Sequence, residues 1–275
     1  KDYIFENLDW SEFGENDVMF ANLEGPISGV GKKGGTGMTF SFNEDVAQYL
    51  KDYGFNVLSI VNNHALDQGW AGRDSTIAAF ENVDLGWCGH PTTEDFESVY
   101  YGVDGDITYA FICFDDVKGN VDMEAAKNLI WMTKSNVDYT IVSIHWGSEY
   151  KHQPHSVDQV EAGRAFVDAG ADLVIGHHPH VVQSFETYNG AFIFYSLGNF
   201  VFDQYWSKDT QEELGIKAVF GEDDAYVQLF PLKSELSQVR LMDEDEKSVW
   251  IEEFIKYGNY GEELKEQIRS GIIPL

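Results

Sequence analysis

The chain has 275 residues, 43% of them hydrophobic and 15% aromatic, which is enough apolar material for an enzyme-sized core. Its 18 Lys and Arg stand against 47 Asp and Glu, a formal charge of −29, which argues against binding to a nucleic-acid backbone or an anionic membrane surface. No apolar run approaches the ~20 residues of a membrane-spanning helix, and two cysteines are too few for a disulfide framework, so Cys88 and Cys113 are expected to be buried thiols rather than a bridged pair.

In chain order, a β-branched and aromatic run at 18–21 reads as a strand, followed by a glycine-rich loop at 29–37 that is expected to be mobile. A helix is predicted over 43–54, with Asn43 as N-cap and Gly54 as stop, then a strand at 57–61 and a helix over 73–82. The alternation continues with a strand at 107–114, a helix over 122–135, a strand at 139–144, a helix over 156–169 between the cap Ser156 and the stop Gly170, and strands at 173–175 and 191–195. Strands alternating with helices predict an α/β fold around a mainly parallel sheet with covered faces. Beyond Gly215 the runs 216–220, 226–232 and 238–242 read as an antiparallel addition, and helices over 244–257 and 262–270 close the chain. No linker rich in Pro, Gly or Ser interrupts it, so one domain is expected over residues 1–275.

Five of the predicted strands hand over directly to residues that bind metals or phosphate. They deliver Asn22 and Glu24; Asn62, Asn63, His64 and Asp67; His145 and Glu149; His177, His178 and His180; and Ser196 and Asn199. In parallel α/β sheets the carboxyl ends of the strands form the ligand crevice, so these groups are expected to converge. Imidazole, amide and carboxylate together suit Mn, Zn or Fe rather than an all-oxygen Ca site. Glu24, Asn63, His145, His178 and His180 are the candidate ligands of one or two divalent ions, with Glu24 placed to bridge a pair. His64 follows Asn63 and should point the other way, as a general acid or as a cap for the next helix. Asn22, Asn62, Glu149, His177, Ser196 and Asn199 remain as substrate contacts. Trp146, Tyr150 and Tyr205 either pack as core or line a sugar or peptide subsite.

At these residues the sequence resembles the CapA-type proteins of poly-γ-glutamate capsule synthesis, grouped with the calcineurin-like metallophosphoesterases. The matching stretches are Asn22-Leu23-Glu24-Gly25-Pro26, Asn62-Asn63-His64-Ala65-Leu66-Asp67, His145-Trp146-Gly147-Ser148-Glu149-Tyr150, Gly176-His177-His178-Pro179-His180-Val181 and Tyr195-Ser196-Leu197-Gly198-Asn199-Phe200. The resemblance implies a four-layer sandwich of two mixed sheets flanked by helices, the strands at 216–242 completing the second sheet. By it Asn63-His64 is similar to the superfamily's Gly-Asn-His element, and His178-Pro179-His180 to its closing His-Xaa-His pair. It also implies an opening Gly-Asp strand carrying an Asp ligand, which this sequence does not contain.

The resemblance implies a metal-dependent hydrolase or transferase acting on a small phosphoester or a cell-envelope polymer. The alternative is a non-catalytic partner of the membrane proteins that synthesise or export a capsule polymer. Either role is expected outside the cytoplasm, at the cell surface, with anchoring through residues absent from this chain. No nucleic-acid partner is expected.

Overall fold

In the computed structural model, which describes residues 2–12, 17–29, 38–117, 121–154, 158–221 and 225–275, the chain is an α/β protein with several sheets flanked by helices. Its residues group into two compact units interleaved in sequence, one of residues 14–146 and 168–173, the other of residues 1–13, 147–167 and 174–275.

The first unit opens with β1 (Met19–Asn22), α1 (Val46–Asp52), β2 (Phe55–Ser59), α2 (Gly69–Glu81) and β3 (Gly86–Cys88). The three strands lie side by side and parallel, with Asn22 opposite Ser59 and Ser59 opposite Cys88, so their carboxyl ends share one edge. Helix α1 starts three residues later than expected, because Asn43 is taken up in a turn whose carbonyl accepts from Val46 N–H at 3.1 Å. Gly54, at φ 90°, makes the turn into β2 that the sequence assigned to it. Next come β4 (Val99–Asp104), β5 (Ile107–Asp115), α3 (Met123–Lys134) and β6 (Tyr139–His145), with β4 antiparallel to β5 and β5 parallel to β6. Asp122 caps α3 by accepting from the N–H groups of Glu124 and Ala125. Strand β2 and the middles of β5 and β6 are almost wholly buried, which is why they read as continuous apolar runs rather than alternating ones.

The cysteine expectation is corrected here. Cys88 of β3 and Cys113 of β5 are joined by a disulfide, their Cα atoms 5.5 Å apart. Both are fully buried, as buried thiols would be, but β3 is a three-residue strand that the sequence pattern did not reveal, and without it nothing brought the two together.

The second unit contains nearly all of α4 (Asp158–Asp168) and β7 (Leu173–His177), the hairpin of β8 (Phe185–Tyr188) and β9 (Ala191–Phe194), and β10 (Glu212–Val219), β11 (Tyr226–Glu235) and β12 (Gln238–Leu241). Helix α5 (Glu244–Phe254), helix α6 (Glu262–Ser270) and β13 (Ile272–Pro274) follow. Strand β9 lies between β7 and β8, while β10, β11 and β12 form an antiparallel meander that β13 joins through β11. Helix α5 begins with a capping box in which Asp243 and Glu246 satisfy each other's backbone N–H groups. Phe254 of α5 and Ile268 of α6 are fully buried, and burial of such a side chain stabilises by roughly 1.5–3 kcal/mol. Of the sequence expectations, the cap Ser156 and most of the glycine-rich loop lie outside the described residues.

Candidate functional site

In the first unit, the ends of β1, β2 and β6 bring several of the predicted residues together. Asn62, buried beyond β2, donates through Nδ2 to Asn22 Oδ1 at 3.2 Å and to the carbonyl of Leu23 at 2.8 Å, and accepts from His64 N–H. Its amide therefore braces the loops after β1 and β2 against each other. His64 places Nδ1 2.8 Å from Asp67 Oδ2, while Nε2 faces Glu24 Oε1 at 3.9 Å. A carboxylate only accepts, so Nδ1 carries a proton and Nε2 is the ring atom left for exchange with a ligand or a leaving group. Asp67 also accepts from Phe40 N–H, and the Phe40 ring stands edge-on to His64 at 4.4 Å. The imidazole is thus fixed from two sides.

His145 ends β6, wholly buried, with Nε2 2.9 Å from Asn63 Oδ1. An amide oxygen only accepts, so Nε2 carries the proton of this hydrogen bond, and the two atoms expected to hold an ion are bonded to each other. Beside His145, and opposite it in the parallel register, lies Asp115 at the end of β5, and Asp116 N–H donates to the His145 carbonyl at 2.8 Å. These two acids were not singled out from the sequence, although they follow the predicted strand 107–114 as directly as the other candidates follow theirs.

In the second unit the His-Xaa-His segment follows β7. His178 and His180 are both nearly buried, their rings 6.0 Å apart, and both adopt positive φ, 98° and 59°. Tyr150, whose N–H donates to the Pro179 carbonyl, does the same at φ 60°. Three non-glycine residues in the left-handed region within one small cluster is a costly arrangement of the kind found at functional sites. His180 Nδ1 lies 2.9 Å from Asn199 Oδ1. The Asn199 amide nitrogen donates to Gln204 Oε1 and to the Thr210 carbonyl, so Oδ1 is its accepting end and His180 Nδ1 carries the proton. That tautomer directs the lone pair to Nε2, the arrangement a metal-ligating histidine needs.

The remaining candidates fall into place around this segment. Asn199, expected at the substrate, is placed as the support of His180. Ser196 is buried and donates to the Val181 carbonyl while accepting from Gly198 N–H, so its hydroxyl holds the loop. His177 ends β7, where burial pushes its pKa down to about 4, so it is neutral at physiological pH. Glu149 is exposed. Sequence reasoning named Asp67 but gave it no role, though its spacing of three residues from His64 was a usable signal. Gln204 and Thr210 gave none, since they act through loop geometry.

Within the first unit the amide oxygen of Asn63 and the imidazole of His145 stand side by side, and within the second His180 is held in the tautomer with its lone pair at Nε2; both are group types that divalent ions accept. Among the described residues, no group of three or more His, Cys, Asp or Glu side chains is arranged to hold a metal ion.

These observations define a class: α/β proteins whose strand ends present braced histidines and amides. The chain belongs to the family described as bacterial capsule synthesis protein PGA_cap, whose model matches residues 1–204. It is similar to the PGA biosynthesis protein CapA of Bacillus subtilis, 34% identical over 230 residues covering 78% of this chain and 60% of that protein. It is also similar to the capsule biosynthesis protein CapA of Bacillus anthracis, 37% identical over 239 residues, 78% of this chain and 57% of that one. The chain thus spans about 60% of the length of the curated relatives it matches. A hypothetical protein from Thermus thermophilus superposes with a TM-score of 0.44 and 16% identity, over 70% of this chain and 76% of that one. No helix is long and apolar enough to cross a membrane among the described residues.

Proposed function

We propose that this chain acts in the biosynthesis of a capsule polymer at the cell envelope, as a metal-dependent hydrolase or transferase on a phosphoester or polymer linkage. The observation that carries the chemical part is the contact of Asn63 Oδ1 with His145 Nε2, two ligand-type atoms aimed at each other at a strand end. Membership in the capsule synthesis family supports the biological part. A disulfide in the first unit agrees with an oxidising compartment outside the cytoplasm.

In this reading Asn63, His145 and Glu24 serve as ligands within the first unit, and His178 and His180 are ligands within the second. A bound divalent ion would polarise a phosphoryl or carbonyl oxygen. His64, in its doubly protonated form, would give the Nε2 proton to the leaving oxygen and keep the Nδ1 proton, which Asp67 accepts before and after the transfer. Elemental analysis of the full-length protein, together with hydrolysis of an aryl phosphodiester, tests the proposal. Bound Mn, Zn or Fe with turnover that a chelator removes is the expected result; absence of both metal and turnover overturns it.

A further inference from the structure

The second unit carries a cavity of about 380 Å³ that the capsule reading does not use. Tyr205, Trp206, Lys208, Gln211, Lys233 and Glu235 line it. Trp206 is 63% exposed and Tyr205 41%, an unusual degree of exposure for large rings standing next to each other. The segment that carries the two rings is held at several points. The Thr210 hydroxyl reaches the carbonyls of Gln204 and Ser207, Gln211 Nε2 those of Tyr205 and Ser207, and the Tyr205 hydroxyl bonds to Ser237 Oγ. The segment that presents them is therefore pinned before any ligand arrives, which lowers the ordering cost of binding.

The charges in and around the cavity decide what it can take. Lys208 pairs with Glu212 at 3.0 Å, and Lys233 with Glu235 at 3.0 Å and Glu246 at 3.1 Å. Arg240 closes the same network on Glu235 and Glu246. Three cations thus meet three carboxylates, leaving no net positive charge to hold a polyanion on a chain of formal charge −29. A cavity with exposed aromatic faces and a neutral rim of amine, carboxylate and amide groups matches a neutral polyhydroxyl ring, whose apolar face covers the aromatics while its hydroxyls exchange hydrogen bonds with the rim. Trp206 also stands edge-on to Tyr150 at 6.0 Å, and Tyr150 stacks on His180 at 5.9 Å, so Tyr150 links the cavity to the His178-Pro179-His180 segment of the same unit.

We infer that this cavity is a binding subsite for a neutral pyranose saccharide, with Trp206 as its stacking platform. The inference is independent of the metal proposal. Isothermal titration of the intact protein with tetra-N-acetylchitotetraose and with cellotetraose tests it and separates an N-acetylated from a plain hexose ligand. Binding of either sugar is expected, at least tenfold weaker in Trp206→Ala, and unchanged in Trp70→Ala, which removes an exposed indole of the first unit. Binding of neither sugar, equal loss in both variants, or binding of a γ-glutamate oligomer in place of the sugars overturns it. Loss of metal or of phosphodiester turnover in His145→Ala with sugar binding intact leaves the subsite standing.

Discussion

His64 in the first unit and His180 in the second are held in the same way and by different chemistry. Each ring is fixed through Nδ1 by one side-chain oxygen, at 2.8 Å and 2.9 Å, which leaves Nε2 as the working atom. The His64 partner is the carboxylate of Asp67, three residues away on the same turn; the His180 partner is the neutral amide of Asn199, 19 residues away and itself held by Gln204 and the Thr210 carbonyl. A carboxylate accepts from Nδ1–H in the neutral and the charged ring alike, so the Asp67 brace keeps its geometry whether or not a proton sits on Nε2. An amide oxygen fixes the Nδ1–H of His180, and with it the tautomer whose lone pair is at Nε2. On the proposed function, the two braces suit an acid and a ligand respectively.

Substitution separates the two most sharply. His64→Ala is expected to lower phosphodiester turnover by roughly 10²–10⁴ with metal content intact, the usual contribution of a positioned acid. His180→Ala is expected to lose metal. If both variants lose metal equally on elemental analysis, the distinction fails. Next in size is the disulfide, which belongs to the first unit alone. Replacing Cys88 and Cys113 by Ser opens a loop of sequence separation 25 and should cost about 3 kcal/mol. Hydrogen exchange would show faster amide exchange in β3 and β5 while β10 to β12 keep their protection. The braces themselves come third. Asn199→Ala should weaken metal affinity by about 10–100-fold, as loss of such a support does. Asp67→Asn should slow turnover and leave affinity unchanged, which parallel metal titrations and rates would read.

Much of this site could be read before the structure, because its residues lie at the ends of apolar strands and strand ends are visible as breaks in β-branched runs. Asn63, His145 and His180 lie at or just beyond the ends of β2, β6 and β7, as the pattern required. What the sequence hid was of two kinds. β3 is too short to show a period and β4 has exposed positions at Tyr101, Val103 and Asp104, so neither stood out, and the disulfide was lost with β3. The division of labour among the polar residues was hidden too. Asn62, Ser196 and Asn199 have the residue types of substrate contacts, yet each is buried and has its hydrogen-bonding groups engaged within its own unit. Only tertiary geometry tells an amide that meets a ligand from one that braces a loop.

The smallest effects concern two glutamates of the second unit that respond to pH in opposite senses. Glu213 of β10 is buried, and neither carboxylate oxygen has a hydrogen-bond partner among the described residues; burial pushes its pKa well above the ordinary carboxylate range. The unfolded chain releases this proton near pH ~4.3 while the native state retains it, so its contribution to stability falls as pH rises above that value. Glu213→Gln, which has no proton to lose, should therefore raise stability at neutral pH, with the gain shrinking toward pH ~4. Glu246 is held below the ordinary range, chiefly by its hydrogen bonds to Arg240. Its contribution is present above pH ~4.3 and lost as pH falls through the native value, so Glu246→Gln should cost up to about 1 kcal/mol at neutral pH and nothing in strong acid. Denaturant unfolding of both variants across pH would show the two difference curves sloping in opposite directions. Parallel slopes would mean that Glu213 finds a charged partner in solution, and that the face of β10 carrying it opens to water.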